Sequence, residues 1–199
     1  TFQGYEIALS PVFSREFFYA DAIVKLVTSK EKIGSAGDLS NIKKWQKKIS
    51  NKYYNKLIEV DSNPMFEFNR NKEFFENLLH VRLNIKKPHI FLKPKLLNFD
   101  LPDKYAILFI GASSNFKKWN IEGFAQIGNY LKEKYDYEIV LCGDSSDRSN
   151  SMKFNEYFKG EYIDLVGKTS LVDLLYIIYY GNLMVSNETS APHFANALE

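Results

Sequence analysis

Residues Tyr105–Gly143, YAILFIGASSNFKKWNIEGFAQIGNYLKEKYDYEIVLCG, decide the fold. They open with an apolar run of strand length, Tyr105–Ile110, that stops at Gly111. Asn120 then stands where a helix needs a cap. Ile121, Phe124, Ala125, Gly128 and Leu131 follow at helical spacing, and a second apolar run, Glu138–Cys142, stops at Gly143. The pattern predicts strand, helix, strand. Downstream it continues with a helix over 149–159, a short strand at Tyr162–Leu165 and a break at Gly167. Ser170 and Asp173 make a capping-box-like start to a helix over Leu171–Tyr180, which Gly181 ends. A strand at Leu183–Ser186 and a helix opening near Ala191 and Pro192 complete the series. Four apolar strands alternating with helices predict a mostly parallel, doubly wound α/β sheet. Such sheets bind ligands beyond the carboxyl ends of their strands, here at Gly111–Asn115, Gly143–Ser145, Val166–Thr169 and Asn187–Ser190.

Upstream the pattern is less regular. A strand at Tyr5–Leu9, a helix over Arg15–Val27 and an extended piece around Ile33 read as the later part of another α/β domain. Lys43–Lys52 reads as a helix whose lysines form a solvated face rather than a phosphate or lipid site. Phe66–Leu83 reads as a helix with Phe68, Phe74, Phe75, Leu78 and Leu79 on its core side. Pro88, Pro94 and Pro102 among lysines mark an interdomain crossing. The expected organisation is therefore a first domain over 1–83, a linker over 84–104 and a second domain over 105–199.

Of the 199 residues, 45% are hydrophobic, enough for a real core. Lys plus Arg number 26 against 24 for Asp plus Glu, and the formal charge of +2 offers no electrostatic case for nucleic acid. The single cysteine, Cys142, ends an apolar run and reads as a packing residue. No apolar stretch approaches the roughly 20 residues of a membrane span. The chain starts without Met or a leader pattern and stops with a helix barely begun, so it reads as an excised piece, with Leu198–Glu199 as a possible cloning remnant.

The last of the four strand ends lies in VSNETSAPHFANAL, Val185–Leu198. There a strand, a turn and a helix start bring free backbone N–H groups and the positive end of a helix dipole to Thr189, Ser190 and His193, which suits an anion such as a diphosphate. The alternative is a plain capped helix with Ser190 as N-cap and His193 exposed. Lys117 and Lys118 are in the same way either a cationic contact or solvated loop lysines, with Trp119 a staple on the helix. Asp144 and Asp147 suit a loop cap as well as a ligand pair. No Ser sits in a Gly-x-Ser-x-Gly elbow, and neither His80 nor His89 has an evident partner for a hydrolase triad.

These residues resemble the heptosyltransferase-like glycosyltransferases, family nine, of the two-Rossmann-domain GT-B fold. The family signature is a strand, Asp-Thr-Gly, two residues and His. Glu188, Thr189 and Ser190 occupy the first three positions and His193 the last, so Glu replaces Asp and Ser replaces Gly. GASSNFKKWNIEGFAQIGNYL, Gly111–Leu131, is similar to the family's hydroxyl loop and Lys-x-Trp, with Lys117 on its lysine and Ser113 and Ser114 near its phosphate-contacting hydroxyls. LCGDSSDR and LVGKTSLVDLL are similar to the loops that flank base and ribose, which makes Gly143, Asp144 and Lys168 nucleotide-binding candidates.

The resemblance implies part of an N-terminal, acceptor-side Rossmann-like domain and most of a C-terminal donor domain. It implies inverting transfer of a heptose-like sugar, without metal or other cofactor, from an ADP-linked nucleotide donor to a lipopolysaccharide-type or lipid-linked saccharide. The general base would lie outside these residues, leaving this piece alone inactive. A cytoplasmic location, peripheral to the inner membrane, follows by the same analogy. The rival expectations are a non-catalytic nucleotide-sugar or phosphate-binding module and another GT-B-like enzyme such as a nucleotide-sugar epimerase.

Overall fold

In a computed structural model of the chain, residues 4–63, 66–95, 97 and 99–198 are described. Thr1–Gln3, Pro64, Met65, Leu96, Asn98 and Glu199 lie outside them, and with Glu199 the expectation placed on the terminal Leu-Glu pair. The chain divides into two compact units, 1–87 and 88–199.

The first unit holds strands β1 (Tyr5–Ser10), β2 (Ser29–Ser35) and β3 (Lys56–Ile58), all parallel in the order β1-β2-β3. Its helices are α1 (Ala20–Leu26), α2 (Lys44–Ser50) and α3 (Glu67–Leu79). The expected helix over Arg15–Val27 is cut to its last half, because Arg15 is drawn wholly into the interior. Its guanidinium donates to both Asp21 carboxylate oxygens at 3.0 Å, to Ser50 Oγ at 2.8 Å and to Asn51 Oδ1 at 2.9 Å. The Tyr54 hydroxyl donates to the same Asp21 at 2.7 Å. Gly34 on β2 is required by this arrangement, since a Cβ there would stand 2.3 Å from the Tyr54 ring. α2 stops at Ser50, earlier than expected, and a 3₁₀ turn at Asn51–Tyr53 leads into β3, a three-residue strand too short to stand out in the sequence. α3 ends at His80 in the left-handed region, and its Phe74, Phe75 and Leu78 pack on Ile33 and Ile58, whereas Leu79 is exposed.

The second unit follows the alternation read from the sequence. Strands β4 (Tyr105–Phe109), β5 (Glu138–Cys142), β6 (Ile163–Asp164) and β7 (Leu183–Ser186) are parallel in the order β6-β5-β4-β7. Helices α4 (Ile121–Tyr135), α5 (Arg148–Tyr157), α6 (Leu171–Tyr180) and α7 (Ser190–Leu198) connect or follow them. Successive β4 side chains go to opposite faces. Ala106 and Leu108 join Phe124, Leu131 and Phe154 under α4 and α5, while Tyr105 and Ile107 join Leu174, Ile177 and Leu198 under α6 and α7. This two-sided cover explains why the strands read as unbroken apolar runs. Ile90, Leu92, Leu97, Phe99 and Leu101, from the stretch expected as a crossing, pack on the α6–α7 side, and the Ile90 N–H donates to the Ala197 carbonyl at 2.8 Å. Cys142 is buried in that same core, and burial pushes its thiol up to about 12.

Candidate functional site

The chain runs outward from β4 to β5 and β6, then returns to place β7 on the other side of β4. The order thus reverses between β4 and β7, and a doubly wound sheet opens its ligand crevice at such a reversal. The loop after β4 and the turn after β7 meet there. Lys117 Nζ lies 3.4 Å from Glu188 Oε1, with both groups solvent-exposed to different degrees. Thr189 is half-buried, Ser190 and His193 are exposed, and none of these three side chains forms a hydrogen bond among the described residues.

The capped-helix alternative named Ser190 as N-cap. The helix instead begins at Ser190 itself, whose hydroxyl caps nothing, so the first-turn N–H groups of α7 have no side-chain partner from it. On the facing loop Ser113 is exposed, while the Ser114 hydroxyl is buried without a hydrogen-bond partner. Phe116, at the tip of the loop, is 90% exposed.

Beside this crevice, at the carboxyl ends of β4, β5 and β6, lies a cavity of about 360 Å³ lined by Phe109, Gly143, Asp144, Ser145, Gly167, Thr169, Ser170, Leu171 and Leu174. Gly143 and Asp144 are therefore in it. Lys168 is not among the lining residues, and its ammonium bonds the Asp164 carbonyl at 2.6 Å. Hydrogen bonds from the Ser146 N–H and neighbouring groups hold the exposed Asp144 carboxyl below the usual carboxylate range. Gly167 allows the wall to close, since it has φ +69 and a Cβ on it would meet Ser145 Cα at 2.9 Å. In the first unit a cleft of about 630 Å³ flanks edge strand β3 and the last turn of α3.

Three residues that hold these loops were not singled out as such in the sequence. Lys118 is not a solvated loop lysine, because its ammonium pairs with Asp147 at 2.6 Å, and Asp147 is 2% exposed. Asp147 also accepts the Asp144 N–H at 3.1 Å and sits against Gly111, where a Cβ would be 2.6 Å from its Oδ2. Asn187 is 6% exposed and bonds the loop after β4 at both of that loop's ends. Trp119 lies against the first turn of α4, its ring 5.3 Å from that of Phe124. Among the described residues no cluster of three or more His, Cys, Asp or Glu groups suited to a metal is found, and no helix is long and apolar enough to cross a membrane.

The model of the family described as glycosyltransferase family 9 (heptosyltransferase) matches residues 13–199. No curated protein sequence matches the chain. Among solved structures, the crystal structure of the glycosyl transferase family 9 from Veillonella parvula DSM 2008 superposes with a TM-score of 0.69 at 16% identity, over 97% of this chain and 54% of that one. E. coli heptosyltransferase WaaC, solved with ADP, gives 0.69 at 14% identity over 99% and 60%. E. coli ADP-heptose LPS heptosyltransferase II gives 0.62 at 17% identity over 98% and 60%. The chain thus spans between half and two thirds of the length of the structures it matches. Their fold, the GT-B arrangement of α/β units with parallel sheets, is the one expected from the sequence. With the family model matching almost the whole chain, the chain belongs to glycosyltransferase family 9, the heptosyltransferases.

Proposed function

We propose that the second unit binds the nucleoside diphosphate of an activated sugar, and that the full-length protein transfers that sugar, with inversion, to a saccharide acceptor. The observation that carries this reading is the meeting of Lys117 with Glu188, two residues before α7 begins, beside a cavity of about 360 Å³ formed by the next two strand ends. Diphosphate oxygens would take donors from the α7 backbone, Thr189, Ser190 and His193, and the cavity at Gly143 and Asp144 would take base and ribose. As the sugar leaves, negative charge grows on the diphosphate, and a cation and helix terminus already in place stabilise it without reorganisation. Glu188 holds the Lys117 ammonium at the mouth. An exposed pair of this kind is worth at most about 1 kcal/mol, so a phosphate displaces it readily.

The related WaaC structures contain ADP or ADP-2-deoxy-2-fluoro heptose, which supports an ADP-linked heptose-like donor here. The acceptor is then a lipopolysaccharide-type or lipid-linked saccharide on the first-unit side, met at the cytoplasmic face of a membrane. A base outside these residues would take the acceptor proton. Nucleotide-sugar binding without transfer is the second reading, favoured by the Glu188 carboxylate standing at the anion site.

Calorimetric titration with ADP, UDP and GDP tests the donor site. ADP is expected to bind best, and Lys117→Ala and His193→Ala each to weaken it by about 1–3 kcal/mol, the scale of a charged hydrogen bond. If neither this chain nor the full-length protein binds any of the three, the donor-site reading is wrong. Product analysis with ADP-heptose and an acceptor saccharide then separates transfer from binding alone.

A further inference from the structure

The loop after β4 carries Ser113, Ser114 and Lys117, yet its only regular structure is a single 3₁₀ turn, Asn115–Lys117. Something else must hold it in place. At its start, Asn187 Nδ2 donates to the Ile110 carbonyl at 2.9 Å and to the Gly111 carbonyl at 3.3 Å. At its end, Asn187 Oδ1 accepts the Trp119 N–H at 2.8 Å. One buried amide therefore closes both ends of the loop. The same residue immediately precedes Glu188, Thr189 and Ser190.

We propose that Asn187 is the positioning residue of the anion site, clasping the Gly111–Trp119 loop so that Lys117 faces the β7–α7 turn. The proposal rests on the donor-site reading above and adds to it the element that sets its width. Asparagine is the side chain the clasp requires, because it offers donor and acceptor from one short planar group. Aspartate lacks the donor and would set a carboxylate against two carbonyl oxygens, and alanine lacks both groups. The opposite flank of the loop is held by the Lys118–Asp147 pair. Of two adjacent lysines, one is thereby consumed in holding the loop and the other is left to the site. A cation misplaced by about 1 Å loses much of its effect on a bound diphosphate.

The test uses this chain, ADP as the probe, and amide hydrogen exchange read at residues 111–119 in the ligand-free state. Asn187→Ala is expected to speed exchange of the Trp119 amide about tenfold and to weaken ADP about tenfold, and Asn187→Asp to do the same. Lys117→Ala, the comparison, is expected to weaken ADP while leaving exchange over 111–119 unchanged, because it removes a contact and not the clasp. Unchanged Trp119 exchange in Asn187→Ala would overturn the clasp whatever ADP does. Faster exchange with full ADP affinity would overturn its role in the site. Absence of ADP, UDP and GDP binding by both this chain and the full-length protein would remove the donor-site reading and this proposal with it. Should Asn187→Ala fail to fold, Asn187→Ser, too short to span the three contacts, is read in the same way.

Discussion

A buried ion pair is decided residue by residue. Arg15 and Asp21 are both fully buried in the first unit, and removing one partner strands a charge in the interior. Asp21→Asn is therefore expected to lose about 3 kcal/mol of stability at pH 7, read by urea unfolding through Trp45 fluorescence. The pH dependence has a definite sign. Burial by itself would raise the Asp21 carboxyl, but hydrogen bonds from Arg15, Ser50 and Tyr54 with the Arg15 charge hold it below its ordinary 3.8. A depressed carboxyl contributes stability that is complete above the unfolded value of 3.8 and is lost as pH falls through the lower folded value. Wild type should thus lose stability more steeply than Asp21→Asn on acidification below about pH 4, and equal slopes would contradict this. None of this could be read from the sequence, where Arg15 looked like one residue of a helix.

Helix ends in the second unit behave as local chemistry dictates. Ser170 Oγ accepts the Asp173 N–H at 3.1 Å, and the Asp173 carboxylate accepts the Ser170 N–H at 3.1 Å. This reciprocal cap was legible because its two members are three positions apart. A hydrogen bond from Lys95, then those from Ser170, hold Asp173 down to about 2. Ser170→Ala is expected to cost about 1 kcal/mol in urea unfolding followed through Trp119. A cost near zero would mean that α6 is held by its apolar face alone. The Lys95 contribution was not legible, because its partner is 78 positions away. The same distance problem hid Asn187, whose clasp joins residues 68 to 77 positions apart.

At the scale of the whole molecule, the donor reading assigns ligand contacts to four separated loops of one unit. Bound ADP should therefore slow amide exchange over 111–119, 143–147, 167–171 and 187–193 together, and leave β1, β2 and β3 unaffected. Protection confined to 187–193 would mean that only the helix terminus binds, as it would any small anion. The strand-end loops were legible as a set because apolar runs ending in Gly, Ser or Thr recur at regular intervals. Their grouping into a cavity that takes in Thr169 and Leu174 but not Lys168 was not, since it follows from where that ammonium turns.

The sequence by itself determined the α/β class, the eight elements from β4 to α7 in their order, and the residues at each strand end. These depend on short-range periodicity and capping, which a linear string carries in full. Only the tertiary structure decided that Arg15 lies inside, that Ser190 opens a helix rather than capping it, and that Lys118 serves Asp147 while Lys117 stays free to face Glu188. For Arg15 and for the Lys118–Asp147 pair the physical reason is the same. A buried polar group takes whichever partner the fold brings within about 3 Å, and that partner is set by the packing of distant elements, not by neighbours in the chain.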